Sequence, residues 1–297
     1  MQEMQTRPEI NFLGQRATFV TKLAIFGILT TSLGIAIAAL PPPFKLLPQL
    51  LLGLMFAHGV ELQHELTHHI IFGNERMNRL VGVMLGLPML VSFSLYKALH
   101  GHHHRTLGTP EDQESFSYSY EKLTSLPGFI AHLSMFSHYV TALVNIRSAI
   151  CNQLRKDVPP KVAHRIRNEF RWLGGLILLL LLASVLGHTF VVWDIWLVPL
   201  LLSAGPIHAL IELPEHLGCD QQTTDPFRNT RSIRASRLVT WYVNGNNYHV
   251  EHHVNAALPI GQLADFHRQL APKIEYMEPS YWAFYKKFLR RFFHSPR

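Results

Sequence analysis

The sequence predicts an all-α integral membrane protein. Four transmembrane helices are expected in two hairpins, with a cytoplasmic histidine-rich cap and interfacial helices around it. Three observations predict this: charge is sparse, apolar residues fall into long uncharged runs, and histidines gather beside those runs. Of 297 residues, 48% are hydrophobic and 16% are charged, whereas soluble proteins carry about a quarter charged residues. The 19 histidines are clustered rather than scattered.

Residues 23–44, 46–60, 173–193 and 195–211 hold no Asp, Glu, Lys or Arg. A bilayer core takes about 20 apolar residues per helix. Spans are therefore expected near 20–40, 46–64, 172–190 and 194–212, followed by a cytoplasmic tail over 213–297. All belong to a single domain covering 1–297, and no cleavable leader is expected. The first pair turns at Pro41, Pro42 and Pro43, which cannot continue a helix. The second pair is expected to turn near Asp194.

Charge orients the spans. Arg7, Arg16 and Lys22 precede the first run, only Lys45 lies in the first turn, and no Lys or Arg occurs in 173–211. The positive-inside rule then places both termini and the middle segment in the cytoplasm. The net charge of +7 fits anionic lipid beside these spans, so no nucleic-acid partner is expected. Cys151 and Cys219 are too few for a disulfide framework or a cysteine metal site.

Two further apolar runs, 80–96 and 123–146, are read as interfacial or re-entrant. The first contains Pro88; the second contains Pro127, Gly128, His132 and His138. A complete crossing by either would carry the histidines that follow it to the opposite side of the membrane.

The histidines form three clusters. His64 and His68 lie in "HELTHH", which also reads as H-E-x-x-H, the helix motif of zinc proteases. "HGHHH" supplies His100, His103 and His104, and "HVEHH" supplies His249, His252 and His253. On a helix, positions i, i+3 and i+4 share a face, so each cluster presents its imidazoles in one direction. His216 in "ELPEHLGC" follows the last span. His188, His267 and His294 are isolated and are read as ordinary surface or core residues.

These nine candidates exceed the three or four ligands that one zinc needs. They suit two metals with four or five ligands each, and imidazole with open positions suits iron that binds oxygen. Soluble di-iron bundles use a glutamate from each of two helices and a Glu-x-x-His pair from each of two others, a carboxylate pattern that this chain lacks. A protease would use His64, Glu65 and His68 and leave both H-x-x-H-H clusters without a task. A metal or haem transporter would place polar groups along the spans, whereas these histidines sit at one end.

Three such boxes around two pairs of membrane helices resemble the membrane fatty-acid desaturase and hydroxylase superfamily. "PEHLGC", "NTRSIRASRLVTWYVNGNNYHVEHH" and Pro259 resemble its acyl-lipid desaturase branch of bacterial type. The resemblance implies a non-haem di-iron site with His64, His68, His100, His103, His104, His216, His249, His252 and His253 as ligands. It implies O2 as co-substrate, a lipid or fatty-acyl substrate from the bilayer, and an oxidoreductase that desaturates it. Hydroxylation, or ketolation of a carotenoid, is the alternative outcome of the same chemistry. His249 stands where the front-end branch commonly has glutamine, and no attached cytochrome b5-like domain is expected. The resemblance therefore implies a separate electron donor, a ferredoxin or a cytochrome b5-like protein.

Imidazole ligands usually give their second N–H to an oxygen acceptor. Glu212, four residues before His216, is one candidate to orient a ligand. Asn246, just before the third box, is another; Asn247, Glu65, Glu251 and Asp112 are further ones. His69 and His102 have no assigned task. Arg228, Arg231, Arg234 and Arg237 recur every three residues and are read as one basic, solvated face, available to headgroups or an acidic donor. The tail from Tyr281 to Phe293 is read as an amphipathic helix lying in the interface.

Overall fold

The structure is a computed structural model that describes residues 12–68, 71–112 and 123–294. The first uncharged run forms α1 (Phe12–Ala39) and the second forms α2 (Leu46–His68), with the three prolines between them. α7 (Pro160–Leu186) follows later and is succeeded by a helix that ends in α8 (Gly205–His216). The part before α8 is wound wide: Val198 N–H reaches Trp193 C=O, and Gly205 N–H reaches Leu200 C=O. Pro199 and Pro206 lack main-chain donors, which favours this five-residue spacing.

Three stretches are long and apolar enough to cross a membrane: Leu13–Ala39, Pro160–Leu186 and Trp193–His216. The count reaches five if each of two bent helix pairs is one span. Ile28 and Ile35 on α1, and Leu178, Leu179, Val185 and Leu186 on α7, are exposed. Exposed apolar stripes this long suit lipid, not water.

The expected spans need correction in three places. α2 is long enough, but His58, Glu61, Gln63, His64 and Glu65 make its second half polar and buried. It is the central helix rather than an apolar one, packed against α1, against the two helices that follow it and against α8. α7 ends at Leu186, where Gly187 caps it and His188 takes φ +50°. The second turn thus lies at 187–190. Asp194 sits in the first turn of the next helix, where a carboxylate is favoured. It pairs with Lys45 at 2.6 Å and accepts from Gln49 Nε2 at 3.3 Å. Lys45 and Asp194 thereby tie the two inter-helix turns together. Gly53 permits a close approach here, since a Cβ would lie 1.9 Å from Ser203 Oγ and 2.3 Å from Pro199 O.

The two ambiguous runs are broken. α3 (Glu75–Gly86) and α4 (Phe93–Thr106) meet at 95° across Leu90, which has φ +60°. α5 (Leu126–Leu133) and α6 (Phe136–Ile150) meet at 41° across Met135, at φ +49°.

One carboxylate fixes the sharper bend. Glu169 of α7, 2% exposed, accepts from Ser92 Oγ at 2.7 Å and from Ser94 N and Oγ at 2.9 and 2.6 Å. Arg79 Nε of α3 completes the set at 2.7 Å. The carboxylate sits at the N-terminus of α4, where the helix dipole favours negative charge.

The tail departs from all-α in one detail. After α9 (Pro226–Asn229), β1 (Arg231–Ile233) pairs in parallel with β2 (Tyr276–Glu278), with Ser232 opposite Met277. α10 (Arg237–Tyr242), α11 (His249–Val254) and α12 (Leu263–Leu270) lie between the strands, and α13 (Tyr281–His294) follows. The four arginines do not share a face, because they fall on α9, on β1, in a loop and on α10. Arg231 is 7% exposed; it donates to Leu217 O at 2.8 Å and to Pro214 O, capping α8. Arg228 pairs with Asp220 and Glu275, while Arg234 and Arg237 are exposed. α13 is amphipathic, but Phe284, Tyr285 and Phe288 pack on Leu123, Phe129 and Leu213 of the protein, leaving Trp282 and Phe293 outward.

Removing the Glu169 acceptor strands four donors in the α3–α4 bend. Glu169→Ala should cost about 3 kcal/mol, read as a lower midpoint of thermal unfolding in detergent. Glu169→Gln, which keeps one acceptor oxygen, should cost less.

Candidate metal centre

The site is assembled from four segments. The last two turns of α2 carry His64 and His68. α4, aimed by the bend, carries His100, His103 and His104. The C-terminal end of α8 carries His216, and α11 carries His249, His252 and His253. Two groups of four result: His64, His68, His100 and His252, and His103, His216, His249 and His253, each with its ring nitrogens within 4.8 Å of one another. His104 Nε2 lies 3.0 Å from Nε2 of both His100 and His252, and its ring stacks on His253 at 4.3 Å. It therefore borders both groups. All nine sequence candidates are brought together. His102 is not among them, since its Nε2 faces Glu111 O at 2.9 Å; His69 lies outside the described residues.

The nitrogens that converge are mostly Nε2. His64 Nε2 and His100 Nε2 are 2.6 Å apart, His100 and His68 2.8 Å, His216 and His249 2.9 Å, and His249 and His253 3.0 Å. Three outer nitrogens meet oxygens. His103 Nδ1 donates to Asp112 Oδ1 at 2.7 Å, and His216 Nδ1 donates to Asn229 O at 3.2 Å. His64 Nδ1 lies 2.9 Å from Asn246 Oδ1. The orientation of that amide is set from behind: Asn246 Nδ2 donates to Glu61 Oε2, and a carboxylate only accepts. Asn246 therefore presents its oxygen, His64 must carry its proton on Nδ1, and its Nε2 is a bare lone pair.

The same reasoning leaves bare Nε2 lone pairs on His103 and His216. Lone pairs facing one another at such distances repel unless a cation lies between them. Imidazole nitrogens bind metal at about 2.1 Å, so neighbouring ligands on one ion stand about 3 Å apart. The donor set fits a metal on both counts. Burial, then the neighbouring imidazoles, hold His249, His252 and His253 well below the ordinary histidine range. They remain neutral, which is the ligating form. Burial raises Asp112 most, but the hydrogen bond and charge of His103, the Gly108 N–H and the charge of His216 together outweigh it and hold it below the usual carboxylate range.

Other carboxylates have separate tasks. Glu251 accepts from Ser232 Oγ at 2.5 Å and pairs with His267, anchoring the start of α11. Glu215 Oε2 lies 3.5 Å from His249 Nε2. Glu212 pairs with His208 at 3.3 Å, and His208 also lies 3.5 Å from Glu61. Asn247 holds Ile233 O at 2.9 Å and so fixes the loop. Glu65 accepts from Gln15 Nε2 at 3.2 Å and Asn244 Nδ2 at 3.1 Å, bracing α2 against α1 and the loop before α11.

Sequence reading passes over Glu61, His208, Glu215 and Asn229. Glu61 and His208 had a signal, a polar side chain inside an apolar helix. Asn229 had none, because it acts through its main-chain carbonyl.

The fold and the cage of histidines define a helical membrane protein able to hold metal between two sets of imidazoles. The chain belongs to the fatty acid desaturase family, whose model, "Fatty acid desaturase", matches residues 41–285. It is thus an oxidoreductase of the desaturase and hydroxylase type, associated with membrane and lipid.

Glu65 is engaged by structural donors, so it is not placed as the base of a zinc protease. Glu65→Gln should keep full metal content and lose activity only in part. Complete loss of activity with metal retained would point to the protease reading instead.

Proposed function

We propose that the chain is an oxygen-dependent acyl-lipid desaturase whose nine histidines hold two irons. The two four-histidine groups, with His104 between them, carry this reading. His64, His68, His100 and His252 bind the first iron, and His103, His216, His249 and His253 bind the second. When bound, the irons supply the reduction of O2 that drives C–H removal. The overall balance is O2, two electrons, two protons and a –CH2–CH2– unit giving –CH=CH– and two waters.

The protein's part is to bind, orient and exclude water. Asp112, the Asn229 carbonyl and Asn246 hold protons on the outer nitrogens, leaving lone pairs for the metals. Burial of His64, His100, His103, His216, His249 and His252 keeps bulk water from the reacting chain. The substrate enters from the bilayer, past the exposed apolar faces of the spanning helices.

We read α1, α2, α7 and the helix ending in α8 as four spans in two hairpins, with both termini and the histidines cytoplasmic. The basic residues before α1 and their absence from 173–211 support this orientation. A cytoplasmic site also suits a separate ferredoxin or cytochrome b5-like donor, for which Arg234 and Arg237 offer exposed positive charge.

Three measurements test the reading. The purified protein should hold two irons per chain, and His103→Ala or His252→Ala should abolish activity while the protein stays in the membrane. Mass spectrometry of lipids from cells expressing the protein should show acyl chains lighter by two hydrogens. Products that gain only oxygen would replace desaturation by hydroxylation or ketolation. One zinc and no iron would overturn both.

A further inference from the structure

Glu61 is nearly fully buried and lies one turn before Glu65 on the same helix, but it faces the opposite task. Its Oε2 accepts from Asn246 Nδ2, and its Oε1 lies 3.5 Å from His208 Nδ1. Asn246 Oδ1 in turn lies 2.9 Å from His64 Nδ1. An amide has a donor end and an acceptor end, and either can face a histidine. If Asn246 were reversed, its NH2 would demand a bare Nδ1 on His64. The proton would then sit on Nε2, the atom 2.6 Å from His100 Nε2, and that nitrogen could not bind a metal. An acceptor-only group behind the amide removes this choice.

We propose that Glu61 is a positioning residue for the first histidine group: through Asn246 it fixes His64 in the Nδ1–H tautomer, so that Nε2 faces the metal. The inference rests on the nine-histidine reading of the site and adds a residue beyond the ligands. His208 lies between Glu61 and Glu212, with its Nδ1 3.5 Å from the second oxygen of Glu61 and its Nε2 3.3 Å from Glu212. Glu61 acts on His64 alone, because His103 and His216 take their outer acceptors from Asp112 and Asn229.

The test is an anaerobic Zn2+ titration of the metal-free full chain in detergent, followed by the same titration of variants. Glu61→Gln offers Asn246 either a donor or an acceptor and removes the charge. It should weaken one of the two metal equivalents about tenfold and leave the other unchanged. The double variant E61Q/N246D restores the direction: the Asp carboxylate accepts from His64 Nδ1–H and from the Gln amide. It should recover affinity to within a few-fold of wild type. A residue needed only for packing would give a double variant at least as poor as E61Q. E65Q, a loss of buried charge one turn away, should leave both equivalents intact. Wild-type affinity in E61Q, equal weakening of both equivalents, or no recovery in the double variant would overturn the inference. If E61Q does not fold, the double variant still decides, since it restores the acceptor. A wild-type protein that takes up no second metal would instead overturn the two-metal reading.

Discussion

Mutual repulsion of bare imidazole nitrogens is the constraint on which the rest of this structure depends. Nine rings occupy one buried volume, and their inner nitrogens stand as close as 2.6 Å. Nothing in the rings themselves opposes that repulsion. It is contained by fixing protons on the outer nitrogens and by pinning each supporting helix from outside. Asp112, Asn229 and Asn246 do the first. Glu169 at the α3–α4 bend, Glu251 at α11 and Arg231 at the end of α8 do the second. Each pin is a buried or partly buried polar group with its partners satisfied, because an unsatisfied one would cost more than it holds.

On the four-span reading proposed above, that demand collides with the membrane on α2. A helix that crosses lipid must be apolar, and one that supports such a site must be polar. α2 resolves the conflict by position. Its first half carries Leu46, Leu47 and Leu51 outward, and its second half, from His58 to Thr67, is buried within the protein. Other helices surround it and meet the lipid in its place. α1, which packs on α2, turns Ile28 and Ile35 outward. Polar residues at membrane depth are tolerable where protein, rather than lipid, surrounds them.

The helices and the histidine set were legible because both rest on local spacing. Uncharged runs of bilayer length mark α1, α7 and the helix ending in α8, and the H-x(2–3)-H intervals put the rings of each box on one face. What was not legible depends on contacts between distant segments. The turn at 187–190 escaped notice because Asp194 looks like a breaker until Lys45, 149 residues earlier, is seen to pair with it. Arginines spaced by three looked like one helical face, but a strand and a loop interrupt them, and Arg231 turns inward to cap α8. The two short strands carry too few residues for a periodic signal. Their register is set by tertiary packing, with Ser232 also serving the start of α11.

Glu61 and Glu65 show why motif and mechanism part company here. Spacing draws the eye to Glu65, since H-E-x-x-H names it as a base. Its oxygens, however, receive amide donors from Gln15 and Asn244, which makes it a brace between α1, α2 and the loop before α11. Glu61 belongs to no motif, yet its oxygen faces the amide that faces a histidine of the cage. The two carboxylates share a helix and a burial, and differ only in what lies opposite. What lies opposite is set by the loop at 244–247, where Asn244 takes Glu65 and Asn246 takes Glu61. Asn244 has φ +49° and Gly245 has φ +83°, and this left-handed pair turns the chain so that two asparagines separated by one residue reach two glutamates separated by one helical turn. The loop, more than the helix motif, decides which carboxylate serves the metal centre.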